Sequence, residues 1–163
     1  ASTRAWHSGD LSQSRGPLST RLLSPAIDLR DAAPPIALRF AHRYRMKVID
    51  ALPNFYVDGA IVEVAADGGP FVPLDIPQYN GQINDVGLCA QLPGQPTNPL
   101  LGQRAFVGAT NTWLVEQVDL SAYAGQVITL GFRVAADCAS HTMADNRPVE
   151  WFIDDVAVVQ LAP

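Results

Sequence analysis

Regular alternation of apolar and polar side chains is the feature that most limits how this chain can fold. In the segment IALRFAHRYRM (36–46), every second position is apolar or aromatic except His42. The intervening positions hold alanine or arginine. Successive side chains of a β-strand point to opposite faces, so a period of two predicts a long strand with one buried face. His42 lies on that face and is expected to be a core histidine with satisfied hydrogen bonds.

The same alternation recurs along the chain. The segment AIVEVAADGGPFVPL predicts two strands joined by a turn at Asp67-Gly68-Gly69. Further strands are predicted in TWLVEQVDL, QVITLGFRVAAD and EWFIDDVAVVQL, and shorter ones in RLLSPAIDL and RAFVG. The only helical signal is a single turn at 121–124. About nine short strands without crossover helices predict an antiparallel sandwich.

Length and composition exclude several classes of protein. The chain has 163 residues, of which 48% are hydrophobic and 17% charged, so one folded domain is expected and disorder is excluded. No apolar run approaches the roughly 18 residues of a membrane-inserted helix. The net charge of −5 argues against a nucleic-acid partner. One segment, 77–103, breaks the rhythm of strands and is predicted to be a long loop.

Six phrases of the sequence occur in a familiar order between about Leu22 and Val159. They are LLSPAIDL, LRFAHRY, DGAIVEVAADGG, RAFVG, VDLSAYAGQVITLGFRVAAD and WFIDDVAVV. Together they resemble the jelly-roll domains of the MAM and galactose-binding-like type, which are appended to secreted bacterial peptidases of the immune-inhibitor-A kind and to adhesins. The resemblance implies an all-β, two-sheet antiparallel jelly-roll sandwich spanning residues 1–163. It also implies a non-catalytic role and, often, a structural calcium ion.

Adjacent carboxylates stand inside the last predicted strand. Because neighbouring strand residues face opposite ways, either Asp154 or Asp155 is expected to point toward the core. A buried carboxylate needs a cation or a set of donors. Calcium, an arginine partner (Arg104 or Arg133) and hydrogen bonds alone are the three explanations. The resembling domains carry an acidic residue at the position of Asp58, which makes Asp58 the expected further calcium ligand.

The two cysteines, Cys89 and Cys138, lie in loop-like surroundings without metal-ligand spacing. They are either two reduced thiols or a disulfide, and the disulfide is preferred because both flank long irregular loops. Closing a loop of about 49 residues stabilises a fold by about 4 kcal/mol in the chain-entropy model. A disulfide implies an exported protein.

Catalytic motifs are missing from the sequence. It contains no HExxH, no GxSxG and no glycine-rich phosphate loop, so no enzymatic activity is expected. Of the three histidines, His42 is expected in the core and His7 on the surface. His141, in the loop after Cys138, is the one candidate for a functional role.

Binding residues are predicted in two places. Tyr79, in the long loop, and Tyr56, in LPNFYVDG, are candidate platforms for stacking sugar rings. Trp113 is a weaker candidate, because core packing is its ordinary role. Arginines 39, 43 and 45 (Arg39, Arg43 and Arg45) form a row on one strand face. If exposed, that row binds carboxylates or acidic glycans; otherwise it is a solvated face among acidic residues.

These observations predict a secreted, non-catalytic accessory domain of a bacterial protein, a peptidase by resemblance. Calcium is expected to stabilise it, and a glycan, a protein target or the parent peptidase domain is its expected partner. A carbohydrate-binding module and a structural or adhesive module that self-associates are the alternatives. The sequence identifies neither the parent protein nor the ligand.

Overall fold

The computed structural model describes residues 4–9, 18–48, 54–84, 98–136 and 149–162. Eleven strands lie in these ranges. In chain order they are β1 (Trp6–His7), β2 (Leu18–Leu23), β3 (Ile27–Asp28), β4 (Ile36–Arg45), β5 (Gly59–Ala66), β6 (Val72–Pro73), β7 (Gly81–Gln82), β8 (Arg104–Ala105), β9 (Leu114–Asp119), β10 (Val127–Ala136) and β11 (Glu150–Gln160). A single turn of 3₁₀ helix, Ser121–Tyr123, separates β9 from β10.

The long strands form two antiparallel sheets. Sheet A has the strand order β1-β11-β4-β9. Sheet B has the order β2-β10-β5-β6, and β3 also pairs with β10. The short strands β7 and β8 pair with each other. None of the described residues belongs to a helix long and apolar enough to cross a membrane.

The order of the strands is that of a jelly roll. The chain passes to the other sheet six times: between β1 and β2, β3 and β4, β4 and β5, β6 and β9, β9 and β10, and β10 and β11. The β5–β6 hairpin stays within sheet B, and its turn is the predicted Asp67–Gly69 segment. The predicted all-β, two-sheet antiparallel sandwich is therefore confirmed.

Alternation along the two central strands creates the core between the sheets. On β10, the predicted inward residues are at most 1% exposed: Ile128, Leu130, Phe132 and Val134. The inward face of β4 is equally buried, His42 included. The rings of Phe40 and Phe132 meet edge to face across the sandwich, with centroids 5.3 Å apart. Burial of each such side chain contributes about 2 kcal/mol, so the period-two pattern supplies the driving force for closing the sheets.

Part of the predicted long loop is ordered by pairing. Within 77–103, Gly81 and Gln82 form β7 opposite Ala105 and Arg104. Asn98 is buried, and its amide donates to the carbonyl of Val57 at 2.6 Å. Residues 85–97 of this loop lie outside the described ranges.

Candidate functional site

The outer face of sheet A carries a row of side chains drawn from four separate segments. His7 lies opposite Phe152 in the β1–β11 register, and Phe152 lies opposite Arg43 in the β11–β4 register. Trp113 directly precedes β9, whose first residue pairs with His42 next to Arg43. We call His7, Phe152, Arg43 and Trp113 the stacked row.

Ring and cation contacts hold the stacked row together. The His7 imidazole is parallel to the Phe152 ring within 4°, with centroids 4.2 Å apart. The Arg43 guanidinium carbon lies 4.9 Å from the centroid of Phe152 and 6.0 Å from that of Trp113. A guanidinium over an aromatic face is attracted by the negative face of the π-system. Arg43 is therefore held between two aromatic rings, and Trp113 remains 44% exposed.

A hollow of about 150 Å³ opens beside Arg43. Its walls include Arg45, Thr110, Asn111 and Glu150. The Thr110 N–H donates to the carbonyl of Tyr44 at 2.9 Å, which fixes that wall to β4. The walls therefore present hydroxyl, amide, carboxylate and guanidinium groups.

The three arginines of the predicted row differ in their surroundings. Arg39 is exposed, and its Nε donates to Gln117 at 2.8 Å. Arg45 is half-buried and lies directly opposite Glu150 in the β4–β11 register. Within the part of the chain that the structure describes, Arg43 forms no ion pair with a carboxylate. Of the predicted basic row, Arg43 thus has no carboxylate ion pair among the described residues, and we call it the open cation. The arginines on either side of it, Arg39 and Arg45, have other contacts.

Glu150 is the carboxylate nearest to this cation in the hollow. Its Oε2 lies 3.2 Å from His7 Nε2, and Arg45 faces it across the strands. The charge of Glu150 is therefore directed toward the β1 side of the hollow and opposed by a second arginine. This leaves the Arg43 side locally positive in a chain whose net charge is −5.

A polar network on the inner face of sheet A contains His42 and Trp151, the chain neighbours of Arg43 and Phe152. Trp151 Nε1 donates to His42 Nδ1 at 3.2 Å, and His42 Nε2 lies 3.3 Å from a carboxylate oxygen of Glu116. Burial lowers the pKa of His42 to about 4 and raises the pKa of Glu116. The imidazole is therefore neutral, with Nδ1 accepting from the indole and Nε2–H donating to Glu116. The prediction that His42 is a satisfied core residue is confirmed.

Tyr79 corrects a prediction. It was expected to be an exposed stacking platform, but it is 7% exposed and its ring contacts Phe106 edge to face. The Val62 N–H donates to its hydroxyl oxygen at 2.9 Å. Burial raises the pKa of Tyr79 well above its ordinary value. Tyr79 is a core residue that satisfies a backbone donor, and it presents no ring for a ligand.

Tyr56 is partly buried and packs against the core rather than standing free. A side chain at Gly81 would lie 2.9 Å from its ring, so this glycine permits the close contact. Tyr56 forms backbone bridges with Val48 and Ile83, and it does not line the hollow beside Arg43. The structure does not bring it together with Arg43.

The adjacent carboxylates of β11 also differ from expectation. The register shifts between Asp154 and Ala157, and Asp155 adopts a left-handed backbone with φ of 50°. Such a bulge re-aims side chains, and Asp tolerates this conformation. As a result Asp154 is only half-buried and Asp155 is exposed, so the prediction that one of them points into the core is wrong. The Asp154 Oδ1 accepts the Asp155 N–H at 2.8 Å.

Asp58 is 1% exposed, and its Oδ2 accepts the Lys47 N–H at 3.3 Å. Asp154 pairs with Ala41, six residues before Lys47, which corresponds to roughly 20 Å along a strand. The structure therefore does not bring Asp58 together with Asp154 and Asp155. Among the described residues, no group of three or more His, Cys, Asp or Glu side chains is arranged to hold a metal ion. The predicted three-residue calcium set does not fit.

The arginine partners considered for the β11 carboxylates are engaged elsewhere. Arg133 contacts Glu63 at 3.3 Å, and Arg104 lies 3.4 Å from Asp75. Of the three explanations, hydrogen bonding is the one that this geometry contains, through the Asp155 N–H. Cys89, Cys138 and His141 lie outside the described residues, so the disulfide stays a prediction.

Sequence reasoning named Arg43 and Trp113 as candidates but missed His7 and Phe152 of the stacked row. Alternation places Phe152 and Glu150 on the face opposite Trp151, so an outward Phe152 was a readable signal. The pairing of His7 with Phe152 and of Trp113 with Arg43 depends on strand register across distant segments, which one sequence does not specify.

The comparisons with known proteins add no relative. No protein-family model and no curated protein sequence matches this chain.

Proposed function

We propose that this chain is a non-catalytic binding domain of a secreted bacterial protein, accessory to a peptidase, and that the outer face of sheet A contributes to substrate or surface recognition. The stacked row is the observation that carries the proposal. Arginine and tryptophan are the residue types that dominate binding energy at recognition surfaces. Here Arg43 stands on β4 and Trp113 directly precedes β9, so both are positioned by the sheet and little conformational entropy is lost when a ligand binds.

Exposure of the apolar part of this face also supports a binding role. Trp113 and Val115 are 44% and 75% exposed on neighbouring outward positions at the edge of sheet A. Exposed apolar groups that cluster beside polar ones mark interaction sites more often than isolated ones do. Secretion and the link to a peptidase rest on the resemblance in the sequence and on the predicted disulfide.

Carbohydrate binding is the second candidate. The specific observation in its favour is the hollow beside Arg43, where the Thr110 hydroxyl and the Asn111 amide lie within reach of a group stacked on an aromatic ring. Sugar sites combine an apolar platform with a few orienting polar groups.

The proposal is tested by binding of the purified chain to two panels, a glycan array and a set of denatured proteins. Trp113→Ala should weaken binding by at least about tenfold, because a stacking aromatic at the centre of a surface contributes well over 1 kcal/mol. Leu101→Ala is the matched control, since Leu101 is a similarly exposed apolar residue (46%) away from this face. No binding to either panel, or equal binding by both variants, would contradict the proposal. A dimer in sedimentation would instead favour the self-associating module.

Calcium stabilisation is the remaining part of the proposal and rests on the resemblance in the sequence alone, in which Asp58 is the expected ligand. A chelator should lower the Tm, and added calcium should restore it. A ligand at 100 times its Kd stabilises a fold by about 2.7 kcal/mol, which is several degrees for a domain of this size. Asp58→Asn should abolish this response, whereas Asp155→Ala should leave it intact. A melting curve insensitive to chelator would remove calcium from the proposal.

A further inference from the structure

Arg43 differs from the arginines that form ion pairs with carboxylates in this structure. Arg21 and Arg133 bind Glu63, Arg30 binds Asp28, and Arg104 contacts Asp75. Arg43 instead contacts two aromatic rings. Stacking uses the flat faces of a guanidinium and leaves its N–H groups pointing outward in the plane. Those in-plane donors match the two oxygens of a carboxylate in a bidentate pair.

We infer that the outer face of sheet A binds a carboxylated polysaccharide, a polymer of uronic acids, with a carboxylate of the polymer on Arg43 and a sugar ring stacked on Trp113. The inference rests on the proposed function, because it names the ligand of the same surface. The carboxylate of the polymer supplies the negative partner that Arg43 does not have among the described residues. The hollow lined by Thr110 and Asn111 receives the hydroxyl groups of the neighbouring sugar.

The charge pattern favours a sparsely charged polymer over a dense one. The open cation is local, whereas Glu150 and Asp154 lie on the same face and the chain carries a net charge of −5. A nucleic acid, with one charge per roughly 1.7 Å of duplex, would bring phosphates against these acidic residues. A polyuronate carries one carboxylate per sugar, which is fewer charges per unit length than duplex nucleic acid, and it also presents uncharged ring faces to the aromatic side chains of the stacked row.

The apolar surface favours a sugar polymer over a peptide. Trp113 and Val115 are exposed outward positions at the edge of sheet A, and Thr110 and Asn111 supply polar groups in the hollow beside Arg43. A pyranose ring has an apolar face and a rim of hydroxyls, which matches this division. A peptide bound by strand addition would need the backbone edge of a strand rather than the outer face of the sheet.

Titration calorimetry with polygalacturonate and with its fully methyl-esterified form tests the inference. Esterification removes the charge and keeps the sugar rings. The wild-type chain should bind the acid form at least about tenfold more tightly than the ester, the difference typical of one charge-assisted bidentate contact. Alginate oligomers provide a second acid form with different ring stereochemistry.

Variants locate the contact. Arg43→Gln should reduce affinity for the acid form at least about tenfold and leave affinity for the ester nearly unchanged, whereas Arg43→Lys should recover only part of the loss, because an ammonium lacks the planar fork. Arg30→Gln removes an equal charge from an exposed pair in the turn after β3 of sheet B and should change nothing. A Tm close to that of the wild type shows that each variant is folded.

The possible failures are distinguishable. Equal affinity for ester and acid, or binding that Arg43→Gln does not weaken, would overturn the carboxylate inference and leave the domain a binding module. Binding to denatured protein that Trp113→Ala weakens, without binding to any polysaccharide, would also overturn the carboxylate inference and leave the domain a binding module. Failure to bind any polysaccharide or protein would overturn both the inference and the proposed function.

Discussion

The outer faces of the two sheets contain the same kinds of residue in different arrangements. On sheet B, Glu63 is 3% exposed and binds Arg21 at 2.6 Å and Arg133 at 3.3 Å, and Arg21 lies 4.5 Å from the centre of the Phe71 ring. On sheet A, Arg43 also lies over aromatic rings, but the described residues give it no carboxylate. An arginine on a sheet is therefore structural where it forms an ion pair with a carboxylate of the same chain. Where it forms none, its guanidinium is available to a ligand.

Local packing makes the sheet B network possible. A Cβ added at Gly131 would lie 2.9 Å from the Arg21 Cδ atom and 3.1 Å from the Phe71 ring, so the missing side chain leaves room for both to cover the sheet. On sheet A, Arg43 contacts the rings of Phe152 and Trp113, and Trp113, which directly precedes the edge strand β9, is 44% exposed. Inside the sandwich the two sheets differ the other way round: the inner face of sheet B is apolar, whereas the inner face of sheet A carries the His42–Glu116 pair.

The largest expected effect concerns that buried pair under sheet A. The folded-state pKa of His42 is about 4, below the unfolded value of 6.5, so the unfolded chain binds a proton that the folded chain does not. The stability associated with neutral His42 is complete above pH 6.5 and is lost as the pH falls toward 4. The loss reaches about 3 kcal/mol of unfolding free energy.

His42→Gln provides the comparison for this prediction, because an amide can both accept from Trp151 and donate to Glu116 without titrating. The raised pKa of Glu116 acts with the opposite sign, since its burial cost grows as the pH rises. The difference between wild type and His42→Gln in urea denaturation should therefore change by about 3 kcal/mol from pH 7 to pH 4. Parallel stability curves would show that folding does not shift the pKa of His42, and would contradict the prediction.

The second effect tests the internal pairing on sheet B. Glu63→Gln leaves Arg21 and Arg133 facing each other without their shared carboxylate. Their side chains are 32% and 21% exposed, so solvent reduces the penalty below that of a fully buried pair, to about 2 kcal/mol of unfolding free energy.

Glu150→Gln on sheet A is the matched change, and it should cost less than about 0.5 kcal/mol because its partners are more solvated. Chemical denaturation of both variants at pH 7 measures the two values. Equal losses would mean that the charges of the two faces are equally structural, and the comparison would fail.

The sequence was sufficient for the parts of the fold that depend on alternation. In residues 36–46 and 127–136, one face of the strand is buried and the other is more exposed, so the strands and their inward residues follow from the period of two. Asp155 could not be predicted in this way, because a bulge with a left-handed residue changes the face of every side chain after it. Tyr79 was misassigned because a tyrosine among polar loop residues carries no local sign of the Val62 N–H that it satisfies.

The binding surface was predicted only in part. Arg43 was placed outward by its position in the strand, and that assignment agrees with its half-buried place on the outer face. Its aromatic neighbours come from segments 70 and more residues away in the chain, and their register is set by tertiary packing rather than by local pattern. A sequence therefore shows which arginines face outward but not which of them forms an ion pair with a carboxylate.

The last prediction compares one arginine from each sheet, Arg43 and Arg21. Arg43→Gln should lower the unfolding free energy by less than about 1 kcal/mol, since it removes a partly exposed cation–π contact and no ion pair. Arg21→Gln also removes a ring contact but deprives the buried Glu63 of its closest partner, so it should cost more, about 2 kcal/mol. Urea denaturation at low and high salt measures both, and the loss in Arg21→Gln should diminish less with salt because Glu63 is shielded from solvent. If Arg43→Gln were as destabilising as Arg21→Gln, the stacked row would be part of the scaffold, and an arginine used for recognition would have to be sought elsewhere on the molecule.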